Sequence, residues 1–357
     1  MIIDWVIISI IILVLIIVCV LIFIYCNHEV SQVPVSKYDQ KIPIYYWIEG
    51  PNEVSAANGV DYLRNNVHTN GHFLAENTMT IPIKDSYDMM NKLTTYVQSG
   101  GRIAISTSGS EILEEIVPWL SAHPQLLLLN MFSTANMPLS SNILRFAIPD
   151  STTFSYVTKM IPQDTVVYYD ETDEWANASA SYFKSKGYQT ISYAQSMTEI
   201  IPTSNTYLII GVKATPLLMN KLPLTATKVY GLDGSLFYPL TGEASNKAQK
   251  TSFECITYSP LILSPLIGEV DKAIGTQTNY IFPSCLDAIT YARYYLTGMP
   301  SNEIQDTVTG FTGSLQFVDQ NREFGNLAWY TYVGDNSWSL TTTTILNQSG
   351  YCNIKND

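Results

Sequence analysis

From residue 41 onward, short runs of β-branched and aromatic residues alternate with amphipathic stretches of helical period. This alternation restricts the chain to parallel sheet with crossover helices. Strands are predicted at 42–48, 79–83, 102–106, 126–130, 143–147, 165–170, 207–211 and 228–232, with helices at 52–66, 86–98, 109–121, 152–160, 173–186 and 284–296. The helix at 109–121 shows how detailed the pattern is. Ser108, Gly109, Ser110 and Glu111 fit the S-x-x-E capping box, in which Ser108 accepts from the amide of residue 111 and Glu111 reaches back. Ile112, Leu113, Ile116 and Leu120 fall on one face, and Pro118 is predicted to kink the last turn or end the helix early. The units form two series, one up to about residue 149 and one from about residue 163, which predicts two α/β lobes. From Gly310 the text changes to alternating apolar and polar residues between Gly and Asn-Arg turns, as in antiparallel hairpins.

Ahead of the body lies a run that belongs in a bilayer. Residues 5–26, WVIISIIILVLIIVCVLIFIYC, contain no charge, Gly or Pro over 22 residues. At a rise of about 1.5 Å per residue the run is about 33 Å long, slightly more than a hydrocarbon core of about 30 Å. A cleaved signal peptide needs a basic start, a shorter apolar stretch and small residues at the cut, and none is present. An uncleaved single-pass transmembrane anchor over 1–27 and a polar tether over 28–40 are therefore expected. The first Lys or Arg is Lys37, so positive-inside charge gives no orientation. The sequons at Asn177 and Asn347, and the layout of a short N-terminus before a long apolar run, favour an extracytoplasmic C-terminal bulk.

Composition removes several function classes. With 46% hydrophobic and 14% charged residues the chain is not a disordered polymer, and a net charge of −12 repels phosphate backbones, so no nucleic-acid partner is expected. Five cysteines are too few for a disulfide scaffold. Cys19 and Cys26 lie in the apolar run, leaving Cys255, Cys285 and Cys352, of which at most one pair can form.

The chemical motifs are equally sparse. No G-x-x-x-x-G-K-[ST] is present to cradle a phosphate, and no G-x-G-x-x-G opens a strand-to-helix turn. Ser106 and Ser110 stand where a nucleophile elbow needs glycines. His68 and His72 are spaced i, i+4 but lack a third ligand, so no metal is expected. Glu111, Glu114 and Glu115 read as a cap and a solvated helix face rather than as catalytic carboxylates. No cofactor and no catalytic residue are assigned. What remains is a set of hydroxyl-rich or aromatic loops at the carboxyl ends of strands, where open α/β sheets bind ligands. They are Ser106–Ser110, Phe132–Thr134, Asp170–Trp175 and Asp233–Ser235.

In this order the motifs resemble the type I periplasmic binding proteins, specifically the leucine/isoleucine/valine-binding branch shared with the ligand-binding domains of some receptors. The resemblance covers residues 41–340. It is carried by VVYYDETDEWANASASYFKSKGYQTIS, similar to the family's strand, acidic loop, aromatic and helix, and by the closing GFTGSLQFVDQNREFGNLAWYTYVGDNSW. It implies two Rossmann-like lobes with parallel central sheets joined by three crossovers near 149, 258 and 325. The lobes are then 41–149 with 259–325, and 150–258 with 326–357. It also implies a small amino-acid-like ligand clamped between the lobes without catalysis. Ser108, Ser133 and Thr134 match the positions that hold the ligand carboxylate, Trp175 the aromatic of the second lobe, and Asp233 the acid that receives the ligand ammonium. Transport needs a separate permease and ATPase, because one anchor helix cannot conduct a solute. The alternative is an anchored structural or interaction protein that kept the fold and lost the pocket, for which 24 tyrosines and six tryptophans provide an adhesive surface.

Overall fold

The computed structural model describes residues 40–66, 68–69, 72–73, 75–211, 214–232, 239–258, 265–275, 281–335, 337–347 and 350–352. Among them no helix is long and apolar enough to cross a membrane; the apolar run 5–26 and the tether lie outside the described residues.

The first sheet begins with β1 (Ile42–Trp47), α1 (Pro51–Asn66), β2 (Thr78–Ile83), α2 (Ser86–Gln98), β3 (Ile103–Ser106), α3 (Ser110–Ser121), β4 (Leu127–Asn130) and β5 (Ile143–Arg145). These strands pair in parallel in the order β2-β1-β3-β4-β5. Ile103, Ala104, Ile105 and Ser106 of β3 are all buried, as befits a strand covered on both faces. α4 (Asp150–Met160) then leads into the second sheet through β6 (Val166–Tyr169), α5 (Glu174–Ser185), β7 (Gln189–Ser192), β8 (Thr206–Ile210), α6 (Thr215–Lys221), β9 (Lys228–Gly231), α7 (Gly242–Lys250) and β10 (Glu254–Tyr258). Its parallel order, β7-β6-β8-β9-β10, repeats that of the first sheet.

The chain then returns. α8 (Pro265–Ile274) and α9 (Ile281–Leu296) pack on α1 of the first lobe, and α10 (Ser301–Thr307) packs on α9. The short strands β11 (Phe317–Val318) and β12 (Asn321–Arg322) extend the first sheet beyond β5. A third passage leads to β13 (Phe324–Gly334), β14 (Ser337–Asn347) and β15 (Gly350–Cys352), which add antiparallel strands to β10 of the second sheet. The molecule is thus two α/β lobes with parallel-rich sheets, between which the chain passes three times.

One buried ion pair closes the first lobe. Asp287 of α9 is fully buried and accepts hydrogen bonds from the backbone amides of Phe311 and Thr312 and from the Thr312 hydroxyl, with the Arg322 guanidinium 3.3 Å away. Burial pushes its carboxyl above the ordinary carboxylate range, while Arg322 and these donors oppose that shift. Gly310, the first glycine of the closing GFTG, is needed because a Cβ there would stand 2.3 Å from the Asp287 Oδ1. Cys255 and Cys285 are buried thiols in different lobes, and the Cys255 thiol donates to the Leu232 carbonyl at 3.2 Å.

Two local expectations need correction. Ser108 does not cap α3: Gly109 stands at the N-cap with no side-chain hydrogen bond, and Ser108 is buried one position earlier, where its hydroxyl meets that of Ser106. A buried neighbouring hydroxyl outcompetes the helix end for the same oxygen. Pro118 lies inside α3 without ending it, since the helix runs to Ser121.

Candidate functional site

In an open sheet of order 2-1-3-4-5, the connections leaving the first and third strands depart in opposite directions, and a crevice opens at their carboxyl ends. In the first lobe this point lies between β1 and β3. The polar residues after β3 and β4 gather beside it, and their hydrogen bonds form one connected network. Ser108 is fully buried, shares a 2.5 Å hydrogen bond with the Ser106 hydroxyl, and donates its amide to the same oxygen at 3.2 Å. Its carbonyl accepts from the Asn130 side-chain amide at 3.0 Å, and the Asn130 Oδ1 accepts from the Ser133 amide at 2.8 Å.

Three donors then converge on a single oxygen. The Ser133 hydroxyl at 3.1 Å and the backbone amides of Thr134 at 3.3 Å and Ala135 at 3.2 Å all point at the Ser110 hydroxyl. A serine oxygen has two lone pairs, so three donors exceed what it can satisfy well, whereas a carboxylate offers about four acceptor positions. The loop that carries these donors is held from beneath by Arg145. This residue is almost fully buried and donates to the Ala135 carbonyl and, at 2.7 Å, to the Asn321 side-chain oxygen.

The network continues toward the second lobe. The Thr134 carbonyl accepts from the Asp150 amide at 2.8 Å, and the Asp150 Oδ2 accepts from the Trp175 indole N–H at 3.2 Å. Asp173 accepts from the Ala176 amide and so caps α5, which places Trp175 in its first turn. Trp175 is only partly buried, so its ring retains an exposed surface beside the crossover. Asp170 and Glu171 follow β6 at the corresponding switch point of the second sheet, between β6 and β8.

Of the residues singled out from sequence, the structure brings Ser108, Ser133 and Thr134 into one network and joins Trp175 to it through Asp150. Asp233 lies outside the described residues. Sequence reasoning named Ser110 only as the end of the Ser106–Ser110 loop and missed Asn130 and Asp150, whose signals were an amide ending a strand and an acid after the Pro149 crossover. It also missed Glu53. This glutamate in the first turn of α1 is 4% exposed, and burial pushes its carboxyl up to about 7. Among the described residues, no group of three or more His, Cys, Asp or Glu side chains could hold a metal ion.

Solved structures share this architecture. The chain is similar to the branched-chain amino acid transporter substrate-binding protein LivJ of Streptococcus pneumoniae in complex with isoleucine. Their TM-score is 0.60 and their identity 14%, over 86% of this chain and all of that one. The leucine-binding protein LivK of Thermotoga maritima matches with a TM-score of 0.60 and 14% identity over 87% of this chain and 99% of that one. The closed leucine-, isoleucine-, valine-, threonine- and alanine-binding protein of Brucella ovis matches at 0.61 and 15%, over 85% and 94%. No protein-family model matches the chain, and no curated protein sequence does. The fold is that of the type I periplasmic binding proteins. A solute-binding protein of R. palustris in complex with benzoate, with a TM-score of 0.60 and 10% identity, shares it as well, so the architecture does not by itself select amino acids.

Proposed function

We propose that this chain clamps a small amino-acid-like solute between its two lobes, without catalysis, and that residues 5–26 tether it to a membrane with the lobes on the extracytoplasmic side. The reading rests on the convergence of the Ser133 hydroxyl and the Thr134 and Ala135 amides on Ser110. In the free protein Ser110 occupies the place of an anionic oxygen; an arriving carboxylate displaces it and satisfies the donors it leaves poorly matched. Ser108 acts from behind, fixing Asn130 and through it the Ser133 amide. Trp175, oriented by Asp150, covers the apolar part of the solute, and Asp233 receives its ammonium as a charge-assisted bond of about 1.5–3 kcal/mol. The lobes are taken as 41–149 with 259–325, and 150–258 with 326–357, so that closure bends the three passages between them. A lone anchor cannot conduct a solute, so uptake requires a separate permease.

The test is thermal unfolding of the full-length chain in mild detergent against amino acids, small peptides and carboxylates. A ligand at 100 times its dissociation constant adds about 2.7 kcal/mol to stability. The shift should vanish in Ser133→Ala and Trp175→Ala chains that still unfold cooperatively. A flat screen on folded protein overturns the clamp in favour of an anchored interaction protein.

A further inference from the structure

The amino-terminal end of the second sheet, the end away from the crevice, is basic in an otherwise acidic chain. Segments 161–165, 186–188, 199–205 and 222–227 enter β6, β7, β8 and β9 there. Hydrogen bonds join these segments into one floor. The Gln163 side-chain amide donates to the Lys186 carbonyl at 3.2 Å, the Ser204 hydroxyl to the Asp164 carbonyl at 3.1 Å, and the Thr227 amide to the Asn205 carbonyl at 2.9 Å. The Lys247 ammonium reaches over from α7 to the Leu222 carbonyl at 3.1 Å. Four helices, α4, α5, α6 and α7, end at this floor and bring the exposed Lys159, Lys184, Lys186, Lys221 and Lys250 to it. Lys228 and Lys247 are matched by Glu254 and Glu243. The five exposed lysines then face three acids, Asp164, Glu199 and Asp335, whereas the whole chain carries −12.

Aliphatic side chains stand bare among these lysines. Leu224, 96% exposed, follows Lys221 by three residues, and Ile200, 93% exposed, lies on the segment that runs to β8; they are the two most exposed large apolar residues among those described. Met160, next to Lys159, is exposed as well. Cations at helix C-termini answer the helix dipole, but α2 and α3 of the first lobe end without one. The dipole also gives no reason for bare aliphatic tips beside the cations. Lysines around exposed aliphatic side chains fit an anionic bilayer surface, where ammonium groups meet lipid phosphates and the apolar tips enter between headgroups.

We propose that this end of the second lobe docks on an anionic phospholipid surface, with Lys184, Lys186, Lys221 and Lys250 on the phosphates and Ile200 and Leu224 among the headgroups. The contact is additional to the anchor of residues 5–26, and it stands whether or not the crevice takes a solute.

Liposome sedimentation tests this. The full-length chain, with its apolar run held in a phosphatidylcholine nanodisc, is mixed with liposomes of phosphatidylcholine alone or with one third phosphatidylglycerol; empty nanodiscs set the background. At least tenfold more protein should sediment with the anionic liposomes, and high salt should reduce the difference. A chain of −12 is otherwise repelled by such liposomes, so this preference requires a local basic face. Lys184→Gln, Lys186→Gln and Lys250→Gln together should lower the anionic binding at least tenfold, and Ile200→Ser with Leu224→Ser at least threefold. Equal sedimentation with both liposomes overturns the proposal on the natural chain alone, whatever the variants do. Undiminished binding of the lysine variant also overturns it. Loss in the lysine variant with full binding by Ile200→Ser, Leu224→Ser overturns the lipid surface in favour of a soluble acidic partner held by charge alone.

Discussion

Glu53 gives the residue scale its clearest pH signature. Its folded-state value of about 7 lies above the ordinary 4.5, so the folded chain holds a proton that the unfolded chain releases. The associated stability is fully present below about pH 4.5 and is lost as the pH rises through about 7. It amounts to roughly 3 kcal/mol at 1.36 kcal/mol per unit. Urea midpoints measured between pH 4.5 and 8 should therefore fall more steeply with pH in the natural chain than in Glu53→Gln. Asp287 makes the opposite kind of prediction, one of wholesale loss. Asp287→Ala leaves the buried Arg322 guanidinium without its carboxylate and should cost about 3–5 kcal/mol, read as a lowered denaturation midpoint. Neither role could be read from the string. Glu53 looks like an ordinary first-turn acid, and Asp287 is an acid in a mostly apolar helix whose partners come from residues 311–322. Ser133 and Thr134 were reached through the family resemblance, because a hydroxyl after a strand serves equally well as a helix cap. Ser110 was not, because its importance comes from the amides of a loop 24 residues away.

Elements were easier to find where they were apolar and long. β3, β4 and β8 are buried on both faces and stand out as continuous runs such as IAIS, LLLN and TYLII. β10 reads ECITY, too mixed to stand out, and it owes its place to pairing with β9 on one side and β13 on the other. α6, α7 and α10 are seven to nine residues long, below the length at which helical period separates from chance. α1 and α9 pack closely against each other. Gly59 lies inside α1, where alanine ordinarily gains up to about 1 kcal/mol of helix propensity. Here a Cβ would stand 2.8 Å from the ring of Phe282, which is fully buried and has no room to retreat. Gly59→Ala should therefore destabilise by about 1–3 kcal/mol, and calorimetry should show a lower Tm.

For the molecule as a whole, the decisive feature is that the apolar interior does not stop at the boundary between the sheets. One cluster of buried residues includes Ile44 and Ile105 of the first sheet, Phe146 and Ile148 of the first passage, and Val167, Leu208 and Ile256 of the second sheet. Heat should therefore unfold both lobes in one transition, with calorimetric and van't Hoff enthalpies that agree. Two separated peaks would contradict that coupling.

The late arrival of α9 also matters while the chain is being made. Ile103 and Ile105 of β3 belong to the same buried cluster as Phe282, Ala288 and Ile289 of the helix that covers them. At about 5–20 residues per second, roughly 10–40 s separate the emergence of β3 from that of the end of α9. During that interval a sticky half-built sheet protrudes from the ribosome, and its safety depends on whatever shields nascent chains in the cell.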